Sequence, residues 1–71
     1  MYDYSKLKGR IVEKYGTQSK FAEALGIEKG SLSNKLSGNA DFKQNQIMQS
    51  IELLEIENPV PYFFTKKVLR N

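Results

Sequence analysis

The chain contains no cysteine and no histidine. The first absence removes disulfides and thiolate metal sites as a means of holding a small protein together. The second removes the commonest general base and the commonest metal ligand, and with them most hydrolytic and metal chemistry. Long apolar runs are also missing. No stretch approaches the roughly 18 residues of a membrane span, and the first residues lack the apolar core of a signal peptide, so a cytoplasmic protein without a membrane partner is expected. No nucleophile–base pair, phosphate-binding loop or metal cluster is present, so the residues point away from an enzyme, a small-molecule substrate or a cofactor. At 71 residues the chain has room for one domain with one small core, near the lower size limit for independent folding.

What the chain does have is charge sorted along its length. The formal net charge is +3. Residues 1–43 carry eight basic and five acidic side chains, residues 44–64 carry Glu52, Glu55 and Glu57 and no base, and the end adds Lys66, Lys67 and Arg70. A basic front and an acidic back suit a protein that offers one face to a polyanion and another to something else. Solubility alone would account for the same total.

The stretch Thr17 to Gly38, TQSKFAEALGIEKGSLSNKLSG, has the spacing of a helix-turn-helix. Thr17 caps a helix opening at Gln18, and Ala22 is small where a second helix must cross closely. Gly26 falls where the chain must turn with positive φ, which glycine adopts without steric cost. Leu32 and Leu36 then stand one turn apart on the inner face of the next helix. An ordinary helical hairpin with a glycine turn would meet only part of this pattern.

The pattern around this stretch predicts an all-α fold, a small bundle of about five helices. A first helix from about Asp3 to Tyr15 carries Tyr4, Leu7, Ile11 and Tyr15 on one face, with Asp3 as its cap and Gly9 inside it at a cost of about 1 kcal/mol relative to Ala. Helix two, Gln18 to Leu25, buries Phe21, Ala22 and Leu25. Helix three runs from about Lys29 to Leu36, with Gly30 in its first turn. After a polar loop, Phe42 returns to the core. A fourth helix, about Gln44 to Leu54, places Ile47, Ile51 and Leu54 on one face, with Met48 beside them and Leu53 off it. Pro59 and Pro61 allow only a short last helix. Residues 58–71 form a C-terminal interaction segment whose end, from Lys66 to Asn71, is compatible with an extended strand, a last helical turn or disorder. Tyr62, Phe63, Phe64 and Val68 are too apolar for a free tail and must pack on the domain, a second copy or another protein.

Three blocks, YSKLKGRI, TQSKFAEALGI with SLSNKLSG, and FKQNQI with LLEI and PYFFTKKV, resemble the lambdoid repressor and Cro class of helix-turn-helix regulators. They are most similar to the small Cro-like proteins of temperate phages and prophages of Gram-positive bacteria. The resemblance implies operator binding as a homodimer on double-stranded DNA and a part in the lysis–lysogeny decision. By position, Gln18 matches a residue that bonds a backbone phosphate. Lys29, Gly30, Ser31, Ser33 and Asn34, with Lys35, fall on the recognition helix, while Asn39 and Lys43 match a phosphate-clamping region. Asn34 has the groups for a bidentate pair with adenine and Lys29 for guanine O6/N7. Two departures stand out. Gly30 replaces a side chain that reads a base in many relatives, and Glu28 places a negative charge beside the DNA face.

Two functions follow. The preferred one is a sequence-specific, Cro-like transcriptional regulator in which basic side chains supply affinity and helix three supplies sequence choice. The second is an antirepressor, or modulator, that binds the phage's main repressor protein. It rests on the acidic Glu52, Glu55 and Glu57 beside a protein-interface set of Leu53, Tyr62, Phe63, Phe64 and Val68.

Overall fold

The computed structural model describes residues 2–66. Five helices follow in order: α1 Ser5–Tyr15, α2 Gln18–Leu25, α3 Lys29–Leu36, α4 Gln44–Leu53 and α5 Val60–Phe63. Among the described residues the only strand-like pairing is an isolated antiparallel bridge between Tyr2 and Lys66. The fold is therefore the small all-helical bundle that the periodicity predicts. Val68, and the part of the C-terminal stretch beyond Lys66, lie outside the described residues.

Local chemistry sets the helix limits. Asp3 acts one residue earlier than expected: Tyr4 occupies the cap position of α1, and the Asp3 carboxylate accepts the Ser5 N–H at 2.9 Å. The Thr17 hydroxyl accepts the Lys20 N–H at 3.2 Å and so satisfies one of the orphan donors of α2. At the other end of α2, Gly26 has φ 80° and ψ 26°. Its N–H meets the Glu23 carbonyl at 3.1 Å, and the Ile27 N–H reaches back to the Ala22 carbonyl at 3.0 Å. This paired closure needs a left-handed residue, which is why a glycine stands there. Helix α4 ends in the same way around Glu55, a non-glycine residue at φ 51°, with Ile56 N–H on the Ile51 carbonyl at 3.0 Å.

Leu7 and Ile11 of α1, Phe21, Ala22 and Leu25 of α2, and Leu32 and Leu36 of α3 meet in the core, closed by Tyr4, Leu54, Ile56 and Phe63. Helix α2 lies at the centre, packing on α1, α3 and α4, while α5 packs on α1. Ala22 is 1% exposed. Ala22→Leu is expected to overpack this crossing and cost about 1–3 kcal/mol; a chemical denaturation midpoint equal to wild type would refute that.

Gly9 plays no part in close packing. A Cβ added there would meet nothing within 4 Å, and its backbone is ordinary mid-helix. Gly9→Ala is therefore expected to stabilise the protein by about 0.5–1 kcal/mol through helix propensity, read as a higher melting temperature.

The face that α4 buries differs from the sequence expectation. Gln46, Ser50 and Leu54 point inward, and Ile47 and Ile51 are only half-buried. The two polar side chains are satisfied locally. The Ser50 hydroxyl donates to the Gln46 carbonyl at 2.7 Å, and Gln46 Oε1 accepts the Lys43 N–H at 2.9 Å. The cost of burying them is thus small. Ile47 and Ile51 pack against the edge of the core and keep part of their surface in solvent.

Candidate functional site

Two surfaces hold the candidate residues. The first is the outer face of α3. Lys29, Gly30, Ser31, Ser33 and Asn34 are exposed there, Asn39 and Lys43 are exposed on the segment that follows, and Gln18 is half-buried at the start of α2. Lys35 lies apart from this group. It is 9% exposed, and its Nζ donates to the Asp41 backbone carbonyl at 3.1 Å. Its position on α3, between Leu32 and Leu36, turns the stem inward, so the amine ties down the loop after α3 and is not offered to a ligand. Of the three lysines expected at this face, Lys29 and Lys43 remain outward, and exposed Glu28 precedes Lys29 in the chain. Affinity for a nucleic-acid backbone scales with the phosphates neutralised, so this face is electrostatically thin. Gly30 leaves the α3 backbone bare, since a Cβ there would also meet nothing within 4 Å.

The second surface follows from the turn of α4. Ile47, Met48 and Ile51 line an apolar groove of about 450 Å³, completed by Phe42, Pro59 and Phe64. Met48 is 57% exposed and Phe64 47%, so the groove presents apolar side chains to solvent. The amides of Gln44, Asn45 and Gln49 and the carboxylate of Glu52 extend along the same helix from Met48.

The three consecutive aromatics expected at an interface are divided by the helix geometry, since neighbours on a helix point about 100° apart. Phe63 is 2% exposed and belongs to the core. Tyr62 is half-buried, with the Lys6 amine 5.3 Å from its ring centroid. Phe64 faces outward into the groove. Leu53 is half-buried, packs against the core and does not line the groove. The groove residues Ile47, Met48 and Ile51 were legible in the sequence as an apolar set on α4, but their i, i+4 spacing reads as core. Pro59 gave no such signal.

Five aromatic rings close into a circuit behind this groove. Tyr2 meets Tyr4 at 6.3 Å, Tyr4 meets Phe42 at 5.3 Å, Phe42 meets Phe63 at 5.5 Å, Phe63 meets Phe64 at 6.5 Å, and Phe64 returns to Tyr2 at 6.2 Å. Three of the contacts are edge-to-face, the arrangement ring quadrupoles favour. Burial first, then the Asp41 charge and Tyr2, push the Tyr4 phenol above its ordinary pKa, so it stays neutral and protonated.

An ionic clamp holds the opposite end of α4. Arg10 Nε donates to the Leu54 carbonyl at 2.8 Å and its Nη2 to the Glu55 carbonyl at 3.3 Å, while Nη1 pairs with Glu13. Lys14 Nζ pairs with the Glu55 carboxylate at 2.5 Å. The Lys14 hydrogen bond, then its charge, holds the Glu55 carboxyl below the usual range. Its contribution is present above the ordinary carboxylate pKa and fades as pH falls through the depressed value. This exposed pair links α1 to the end of α4 and engages one of the three carboxylates expected on the acidic side. Glu52 and Glu57 remain exposed.

Residues 1–66 match the model of the DUF739 family, described as protein of unknown function. No curated protein matches the chain. Among solved structures, the modulator of repression (MOR) of the temperate bacteriophage TP901-1 from Lactococcus lactis is 41% identical, with a TM-score of 0.76. That match covers 96% of this chain and 95% of the other. The likeness is to a phage regulator of repression, a coarser statement than the Cro-like placement expected from the motifs.

Proposed function

We propose that this chain, which belongs to the DUF739 family, is a non-enzymatic modulator of repression that acts by binding a phage's main repressor protein in a lysis–lysogeny switch. The observation that carries the reading is the apolar groove between α4, Pro59 and Phe64. It is large enough for two or three side chains of a partner, and no cation lies between residues 44 and 64. A repressor that binds DNA carries a basic surface, which the Gln44, Asn45 and Gln49 amides and the Glu52 carboxylate beside the groove can meet. The likeness to a modulator of repression supports the same class of partner. The thin charge of the α3 face supports it too, since counterion release from so few lysines gives weak DNA binding.

The test is a gel-shift titration with the cognate phage repressor and its operator DNA. The expected result is that the protein alone leaves the operator unshifted at concentrations that change the repressor–operator complex, and that calorimetry detects its binding to the repressor. A shift of operator DNA by the protein alone, unaltered by repressor, would overturn this reading in favour of direct operator binding through Lys29, Ser33 and Asn34.

A further inference from the structure

The groove has one wall that the nearby helices alone do not hold in place. Phe64 follows α5, and a helix of four residues cannot sustain itself. Ahead of it, Asn58 Oδ1 accepts the Val60 N–H at 3.2 Å, and from its own helix the Phe64 ring meets Phe63 in a tilted contact at 6.5 Å. A second hold on the ring comes from the other end of the chain. The Asp3 N–H donates to the Thr65 carbonyl at 2.6 Å, Tyr2 bridges Lys66 in antiparallel fashion, and the Tyr2 ring meets Phe64 edge-on at 87°. Tyr2 itself is 40% exposed, so it contributes little to the core. Its contacts are with Tyr4 and Phe64, two members of the aromatic circuit.

We infer that Tyr2 is a positioning residue for partner binding: it sets the Phe64 ring as the wall of the groove and touches no partner to do so. This rests on the groove being the docking site for the repressor. The backbone pairing on either side of Phe64 sets where the chain runs, and the Tyr2 ring selects the direction in which the Phe64 ring projects. The edge contact needs the ring alone, so phenylalanine should serve in place of Tyr2.

The experiment compares Tyr2→Ala, Tyr2→Phe, Phe64→Ala and the Tyr2→Ala/Phe64→Ala double variant in the full chain. Binding to the cognate phage repressor is measured by calorimetry, and the Met48 methyl resonance is followed by NMR in the free protein. Tyr2→Ala is expected to weaken repressor binding about tenfold, Tyr2→Phe to bind as wild type, and Tyr2→Ala to add nothing once Phe64→Ala is present. In the free protein, Tyr2→Ala should move the Met48 methyl toward its position in Phe64→Ala, because both remove the same ring current from the groove. A Met48 resonance left at its wild-type position in Tyr2→Ala overturns the inference, and so does loss of the folded spectrum, which would make Tyr2 part of the fold. Failure of the wild-type protein to bind the repressor would sink the functional reading by itself, and the Met48 shift would still decide whether Tyr2 holds Phe64.

Discussion

Phe63→Ala is expected to remove a large share of the stability of this protein. The side chain is 2% exposed, and its ring meets Phe42 edge-to-face at 5.5 Å. Truncating a buried phenylalanine costs about 3–5 kcal/mol, partly from lost transfer energy and partly from the cavity left behind. A chain of this length has about 4–10 kcal/mol in total, so roughly a third to all of it disappears. The cavity would open where α5 joins the core. Urea denaturation followed by circular dichroism should show a midpoint far below wild type, or no folded baseline. A shift equivalent to less than about 1 kcal/mol would place Phe63 outside the core.

Phe64→Ala, one residue on, is expected to do the reverse. With nearly half of its surface already in solvent, the ring loses little by truncation in the free protein, and the melting temperature should fall by only a few degrees. Its effect appears on binding. An aromatic anchor lining an apolar pocket that becomes dry on complex formation is worth about 2 kcal/mol or more, roughly a thirtyfold change in Kd for the repressor. Most of that should appear as faster dissociation. The adjacent pair thus separates core from interface within one turn of chain. A Phe64→Ala protein that captures the repressor with wild-type affinity would exclude the groove as the docking surface.

The division between what the sequence shows and what it hides follows the range of the interactions. Helices α2 and α3 begin and end where the motif reading places them, because Thr17, Gly26 and the apolar spacing of Phe21, Leu25, Leu32 and Leu36 act within a turn or two. The partition of Tyr62, Phe63 and Phe64 is half-legible. That they cannot all face inward follows from helix geometry, but which one does depends on Phe42 arriving from the loop after α3. The rotation of α4 was not legible. Ile47 and Ile51 look like a core line, yet Gln46 and Ser50 can be buried cheaply since each finds a backbone partner within four residues. The inward turn of Lys35 was hidden for a similar reason: a lysine on a helix otherwise expected to meet DNA differs from a tethering lysine only through the carbonyl of Asp41. Likewise, nothing in residues 1–5 announces that Tyr2 will reach Phe64.

The join between Asp3 and Thr65 has a kinetic consequence. It closes a loop of nearly the whole chain, and closure entropy makes such contacts form late, after the local helical pairs. Changes at Tyr2 or Thr65 should therefore leave the refolding rate almost untouched and speed unfolding. In native-state hydrogen exchange, the amides of Asp3 and Phe64 should open well before those of α2. The wall of the groove is then the part of the molecule that lets go first, and a bound partner would slow that release.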